Sequence, residues 1–264
     1  MMNIYCVSDL HLCDKGPRDN FAFEGRETRF HSFLNAVEAE HAELVILGDL
    51  FDWWQTNLSR SVVIYRELLD RLADLKAVWV IGNHDGDLVH FLGTDLMPAH
   101  PFFARATSPF IRDVGGRKIL FMHGHEGDPY CNDTNPGIGE ITAIISALLE
   151  DRNKTPFQLS HAVEDTFVGT LENALTLWRR LTFQASRFDE MLGGVENYRI
   201  KRGADVVVCG HTHQAGRIGH HHYNAGSWCR TNDTYIRITE SGSCHVFEWP
   251  KGCQPLDCDA LELQ

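Results

Sequence analysis

Long apolar runs, positive charge and paired cysteines are the scarce commodities of this 264-residue chain. No stretch approaches the roughly 18 uncharged apolar residues that a membrane span needs, which excludes a transmembrane helix on sequence grounds. The opening Met1-Met2-Asn3-Ile4-Tyr5 carries no basic stretch, no long apolar segment and no small-residue cleavage site, so the start reads as cytoplasmic. Lys and Arg number 24 against 36 Asp and Glu, a formal net charge of −12. That balance argues against a sequence-independent grip on DNA or RNA, which needs a basic face. The eight cysteines (6, 13, 131, 209, 229, 244, 253 and 258) form no CxxC pair in a chain too large to need disulfide staples, and are expected to be reduced and mostly buried. Low-complexity tracts and internal repeats are absent too, while a 43% hydrophobic share suffices for a real core. What is plentiful is histidine. The chain has 15, and neutral imidazole is the commonest metal ligand, so bound cations would reverse the local sign of an acidic protein.

Short apolar runs alternate with amphipathic helices, the pattern of an α/β layered domain. Ile4 to Val7, Leu44 to Leu47, Ala77 to Ile81, Ile119 to Met122 and Val206 to Cys209 read as strands, rich in the types favoured in buried sheets. Phe30, Phe33, Leu34 and Val37 share one face of a helix predicted over 27–40, and Val62, Leu68, Leu69, Leu72 and Leu75 give a second over 60–75. From Arg217 to Trp249 short alternating runs punctuated by Gly219, Asn232-Asp233 and Ser241-Gly242-Ser243 predict antiparallel hairpins. About eighty residues between His123 and Asp205 read as helix and loop without a strand. Apolar stripes run through Ile138 to Leu149 and through Phe167 to Phe188. Residues 176–202 carry six basic side chains (Arg179, Arg180, Arg187, Arg199, Lys201, Arg202) against three acidic ones. The segment is either an insertion with a solvated charged face or a lid that meets an anionic substrate. The expected organisation is one domain over 1–250, with a helical insertion at about 130–204 and a tail at 251–264.

Five polar blocks follow the predicted strands: Asp9-Leu10-His11, Gly48-Asp49-Leu50-Phe51-Asp52, Gly82-Asn83-His84-Asp85, His123-Gly124-His125 and Gly210-His211-Thr212-His213. Singly, each is no more than a turn or a helix cap. Together they place carboxylates, an amide oxygen and imidazoles just past strand carboxyl ends, where open α/β sheets bind ligands, with the donor types that surround divalent cations. No cysteine lies in the blocks, which argues against a thiolate structural zinc site. His125 and the His220-His221-His222 run read as exposed loop histidines, although His125 stands close enough to His123 to face a substrate.

In this order the blocks strongly resemble the calcineurin-like metallophosphoesterase superfamily, whose signature runs DxH, GDxxD, GNH(D/E), a lone His and GHxH. The resemblance spans residues 9 to 213, and Tyr223 to Trp228 is similar to the segment that commonly follows the last motif. It implies a two-sheet β sandwich flanked by helices, here with an inserted helical lid. It implies that Asp9, His11 and His213 bind one divalent ion, that Asn83, His123 and His211 bind another, and that Asp49 bridges them. Asp52 and Asp85 would orient the ligands from behind, and His84 would stabilise the transition state or protonate the leaving group. Manganese is the metal expected, with iron, cobalt and zinc as alternatives. The chemistry implied is hydrolysis of a phosphate ester or pyrophosphate by a metal-bridging hydroxide.

Within the superfamily the chain most resembles UDP-2,3-diacylglucosamine diphosphatases, through its GDLFD block, its His-Gly block and the helical insertion before GHTH. That likeness implies a nucleotide-sugar lipid substrate in lipid A biosynthesis and a peripheral inner-membrane contact through the insertion. At His84 the chain departs from those diphosphatases, which carry Arg there, and agrees with general phosphomonoesterases and phosphodiesterases, so another phosphorylated small molecule stays open as the substrate. A non-catalytic scaffold would be expected to have lost ligands, and a nuclease to show a basic groove with stacking aromatics.

Overall fold

The computed structural model describes residues 2–16, 19–129, 131, 185–229 and 233–250. The predicted stripes within 138–184, the basic Arg179 and Arg180, the side chain of Arg187 and the tail at 251–264 lie outside the described residues.

Two sheets face each other. The first is six-stranded, in the order β11 (Cys244–Glu248), β10 (Thr234–Ile238), β1 (Ile4–Val7), β2 (Glu43–Leu47), β3 (Val78–Val80) and β4 (Ala106–Thr107). The second is five-stranded: β5 (Phe110–Val114), β6 (Arg117–Phe121), β7 (Val206–Cys209), β9 (His222–Asn224) and β8 (Gly216–Ile218). The period of two along each strand sorts side chains between layers. Ile4 and Cys6 enter the core between the sheets with Val45, Leu47, Ile119, Phe121, Val206 and Val208. Tyr5, Val7, Leu44 and Ile46 face outward onto α1 (Arg26–Ala39) and α3 (Arg66–Asp74), meeting Phe30, Phe33, Leu34, Leu68 and Leu72. On the far side of the second sheet, Leu120, Met122, Val207 and Cys209 pack on Val195 of α4 (Ala185–Arg202), with Tyr198 beside them. The result is a two-sheet α/β sandwich flanked by helices. Both faces of the central strands are covered, which is why these strands read as continuous apolar runs.

The strands β1, β2, β3 and β4 run parallel to one another, and so do β6, β7 and β9. The carboxyl ends of β1 to β3 and of β6 and β7 carry the five polar blocks. One sequence expectation is corrected here. The helix predicted over 60–75 is two helices, α2 (Leu58–Ile64) and α3, because Tyr65 breaks the turn at φ −100° and ψ 20°. Its hydroxyl donates to Asp19 Oδ2 (2.7 Å), a buried carboxylate that also accepts from the backbone of Cys13 and Lys15. The antiparallel hairpins predicted at the end of the chain are present, β8 with β9 in the second sheet and β10 with β11 in the first, where β10 also pairs antiparallel with β1. Strands β4 and β5 had no counterpart in the periodicity, since β4 is two residues long and β5 interrupts its apolar positions with Arg112 and Asp113.

Candidate metal centre

Each block begins where a strand stops. Asp9, Asp49, His123 and His211 stand two residues beyond β1, β2, β6 and β7, and Asn83 stands three beyond β3. The backbone turns sharply there. Asp9, His11, Asp49, His211 and His213 all adopt φ between 48° and 71°. That left-handed region is entered by few non-glycine residues, costs of order 1–3 kcal/mol each, and concentrates at functional sites. Two glycines permit the close approach: a Cβ on Gly48 would collide with the His123 ring, and one on Gly210 with Ser8 Oγ and Asp9 Oδ2.

Around Asp9 and Asp49 the donors converge. Asp9 Oδ1 lies 3.0 Å from His213 Nε2 and 3.7 Å from His11 Nε2, and the two imidazole nitrogens are 3.3 Å apart. Asp9 Oδ1 is buried and accepts no hydrogen bond among the described residues. Asp49 Oδ2 stands between two sets, 3.6 Å from His11 Nε2 and 3.2 Å from His123 Nε2. His123 Nε2 is also 3.1 Å from Asn83 Oδ1. His211 joins by donating its backbone N–H to Asp9 Oδ2 (3.0 Å), with its ring 5.1 Å from that of His123. The structure therefore brings together all seven predicted ligand residues. Lone pairs that face one another in a largely buried site, with an unpartnered carboxylate oxygen among them, fit a cation better than any neutral filling.

The electrostatics point the same way. Burial opposes ionisation of Asp9, but His213, His11 and His123 outweigh it and hold the carboxyl well below its usual range. Asp49 is held down against its burial by His123 and His84, and Asp52 by His84 and His11. In return, and also against burial, Asp49 pushes His123 up to about 10 and Asp9 pushes His213 up to about 9.

The remaining predicted residues sit behind and beside the ligands. Asp52 pairs with His84 Nδ1 (2.9 Å) and lies 3.5 Å from His11 Nδ1. His84 donates its backbone N–H to Asp49 Oδ1 (2.9 Å), and its ring stacks on Trp54 at 3.8 Å. Asp85 is buried and accepts N–H groups from Gly82 (2.6 Å), Leu50 (2.9 Å) and Phe51 (3.4 Å), which ties the GDLFD loop to the GNHD loop. Burial and the charge of Asp49 push its carboxyl up to about 7. A recess of about 360 Å³, lined by Trp54, Gln55, Thr56, Asn57, Asp14 and Arg60, borders the indole that His84 stacks on.

Residues 2–215 match the family model described as Calcineurin-like phosphoesterase. The chain belongs to the calcineurin-like phosphoesterase family. Its curated relatives include the UDP-2,3-diacylglucosamine hydrolase of Chromobacterium violaceum, 26% identical over 261 residues that cover 91% of this chain and 97% of the relative. The enzyme of the same name from Neisseria meningitidis serogroup C is 25% identical over 266 residues, covering 93% and 98%. Among solved structures, a dimetal phosphatase from Danio rerio superposes with a TM-score of 0.52 at 12% identity, covering 94% of this chain and 95% of that one, a likeness of fold. This calcineurin-like phosphoesterase is a metal-dependent hydrolase of a dinuclear class, and it carries side-chain groups able to hold metal, among them Asp9, His11 and Asp49.

Several neighbours of the phosphoesterase centre had escaped sequence reasoning. Asp128 Oδ2 meets His211 Nε2 at 3.1 Å, and Cys229 Sγ lies 3.7 Å from His213 Nδ1. The signals were faint: Asp128 falls in a loop that fits no motif, and Cys229 follows directly on the Tyr223–Trp228 segment. Two histidines read as exposed are not. His222 lies in β9, buried against Cys209 Sγ (2.9 Å), and burial drives its pKa down to about 4. His125 is buried 5.4 Å from the His123 ring. The six described cysteines are free and buried. Of the basic set, Arg199 is taken up by Glu196 and by the Ala204 carbonyl at the end of α4, and Arg202 by the Tyr198 hydroxyl. No helix among the described residues is long and apolar enough to cross a membrane.

Proposed function

We propose that the chain hydrolyses a phosphoanhydride or phosphate ester at a centre of two divalent cations. Asp9, His11 and His213 hold one, Asn83, His123 and His211 the other, and Asp49 is shared. The observation that carries this reading is the placement of Asp49 Oδ2 between His11 and His123, within 3.6 Å of both Nε2 atoms. Two bound cations supply Lewis acidity and a nucleophile from water at neutral pH. The protein's own groups do the rest. Asp52 fixes the His84 ring through Nδ1, and the Trp54 indole keeps it from turning. His84 Nε2, 4.0 Å from Asp49 Oδ2, is thereby aimed at the centre, where it stabilises the transition state or hands a proton to the leaving oxygen.

For the substrate we favour a nucleotide-sugar lipid of the UDP-2,3-diacylglucosamine kind, cleaved at its pyrophosphate. The support is the near full-length similarity to hydrolases of that name. Manganese is the metal we favour. Residues 1–250 would form one domain whose specificity comes from 130–204, with contact at the cytoplasmic face of a membrane rather than insertion into it. The imidazole at His84, paired through Nδ1 with Asp52, favours a second reading in which a simpler phosphomonoester or phosphodiester is the substrate. Incubation with Mn²⁺ and UDP-2,3-diacylglucosamine in detergent, with nitrophenyl phosphate esters alongside, separates the two. UMP and lipid 1-phosphate are the expected products. Nitrophenol release with the lipid intact would overturn the lipid reading, and no turnover of any of them would overturn the hydrolase itself.

A further inference from the structure

The imidazoles of the centre share a plan. One ring nitrogen faces the centre and the other is tied to an acceptor that fixes the tautomer, the arrangement that orients metal-binding histidines generally. For His123 the acceptor is the Leu47 carbonyl (2.7 Å), and for His11 it is Asp52 (3.5 Å). For His213 it is sulfur. Cys229 Sγ stands 3.7 Å from Nδ1, while Nε2 on the opposite side of the ring stands 3.0 Å from Asp9 Oδ1.

The sulfur is held there by its neighbours. Trp228 donates its backbone N–H to the Asp9 carbonyl (3.1 Å) and its indole N–H to the Thr234 carbonyl (2.8 Å). The indole packs on Phe30 and Phe33, with ring centroids 4.8 and 5.3 Å away. A fully buried tryptophan pinned at both ends leaves the next residue little freedom, and Cys229 is itself buried. The same anchor that fixes Cys229 grips the loop that carries Asp9.

We propose that Cys229 is the positioning residue of His213: its sulfur accepts the Nδ1–H and so presents the Nε2 lone pair to the cation shared with Asp9 and His11. The inference rests on the two-cation reading and adds to it the residue that sets one ligand's tautomer. Sulfur is a weak, polarizable acceptor, so it orients the ring while drawing less basicity onto it than the carboxylate behind His11 does. The two imidazoles that face each other at 3.3 Å are therefore unequal ligands.

Metal-free protein titrated with Mn²⁺ tests this without reference to turnover. Removing such an outer partner generally weakens metal binding 10- to 100-fold. Cys229→Ala should weaken one of the two binding events by about that factor and leave the other within about twofold. Cys229→Ser, whose hydroxyl also accepts, should restore most of the loss. In the zinc-loaded wild type, ¹⁵N shifts of His213 should report protonation at Nδ1. The proposal is overturned if Cys229→Ala, shown by urea unfolding to be folded, binds both ions as the wild type does. It is equally overturned if cobalt-loaded wild type shows a sulfur-to-cobalt charge-transfer band that Cys229→Ser lacks, for the sulfur would then be a ligand itself. Wild-type protein that binds no divalent ion would sink the two-cation reading instead.

Discussion

Asp85→Asn isolates a carboxylate that touches no substrate yet joins two loops of the centre. Its Oδ1 accepts from Gly82, the residue before Asn83, and its Oδ2 accepts from Leu50 and Phe51, the residues after Asp49. An asparagine has one acceptor oxygen in place of two. Whichever way the amide turns, its NH₂ faces at least one buried backbone N–H, which loses its partner and meets a donor. An unsatisfied buried donor costs about 1–3 kcal/mol, and the donor-to-donor clash raises the expected total to about 2–4 kcal/mol. Urea unfolding at pH 8.5 is the assay, because the wild-type carboxyl, at about 7, is then ionised and can accept all three N–H groups. The unfolding midpoint should fall with the slope against urea unchanged. Because Asn83 and Asp49 would no longer be braced against each other, Mn²⁺ affinity should fall about 10- to 100-fold as well. A stability loss below about 0.5 kcal/mol with unchanged metal affinity would refute the reasoning, for it would mean that the two loops hold their shape without the brace.

Replacing His84 by Asn should preserve metal content while lowering kcat by about 10²- to 10⁴-fold, the range of a general acid or transition-state donor. Normal turnover by that variant, with two metals bound, would remove His84 from the chemistry. Metal binding should also release protons. With the folded-state values of His123 and His213 raised to about 10 and 9, both carry protons at pH 7.5 and must lose them to bind a cation. His11, raised well above its ordinary value against its burial by Cys229 and by the Asp52, Asp9 and Asp49 carboxylates around it, must do the same. Calorimetry in buffers of differing ionisation heat should therefore register at least two protons per chain released at pH 7.5, with the release shrinking as pH rises past 10; release that did not vary with pH would contradict the assignment. The sign for stability follows from the same shifts. In the metal-free protein these raised values stabilise the fold fully below pH 6.5, and the benefit is lost as pH rises through 9 and 10. Gly210→Ala should abolish binding at the Asp9 side, since the new methyl meets Ser8 Oγ and Asp9 Oδ2; intact two-metal stoichiometry by elemental analysis would count against it.

The blocks were legible because they combine scarce donor types at strand ends, and strand ends are readable from apolar runs such as Leu44 to Leu47. The convergence itself was not. Asp9 and His213 are far apart in the chain and follow strands of different sheets, so only the packing of one sheet on the other brings their loops to one rim. The break at Tyr65 escaped because the apolar stripe of 60–75 continues through it. At the break the Tyr65 hydroxyl is bound to Asp19, in a different segment. His222 was misread for a related reason: three adjacent histidines look like a solvated loop, yet β9 pairs beside β7 and turns the third inward onto Cys209. Asp128 and Cys229 carried no pattern at all, since each acts on one histidine through a single atom and needs no fixed spacing to do so.

The two halves of the centre grow from different sheets. Asp9, His11, Asp49 and Asn83 follow strands of the first, and His123, His211 and His213 follow strands of the second. Cations shared between the halves would work as rivets across the mouth of the sandwich, opposing any sliding of one layer over the other. Chelation should then show up first as mechanical slack: faster amide exchange at the carboxyl ends of β1, β2, β6 and β7, with their opposite ends still protected.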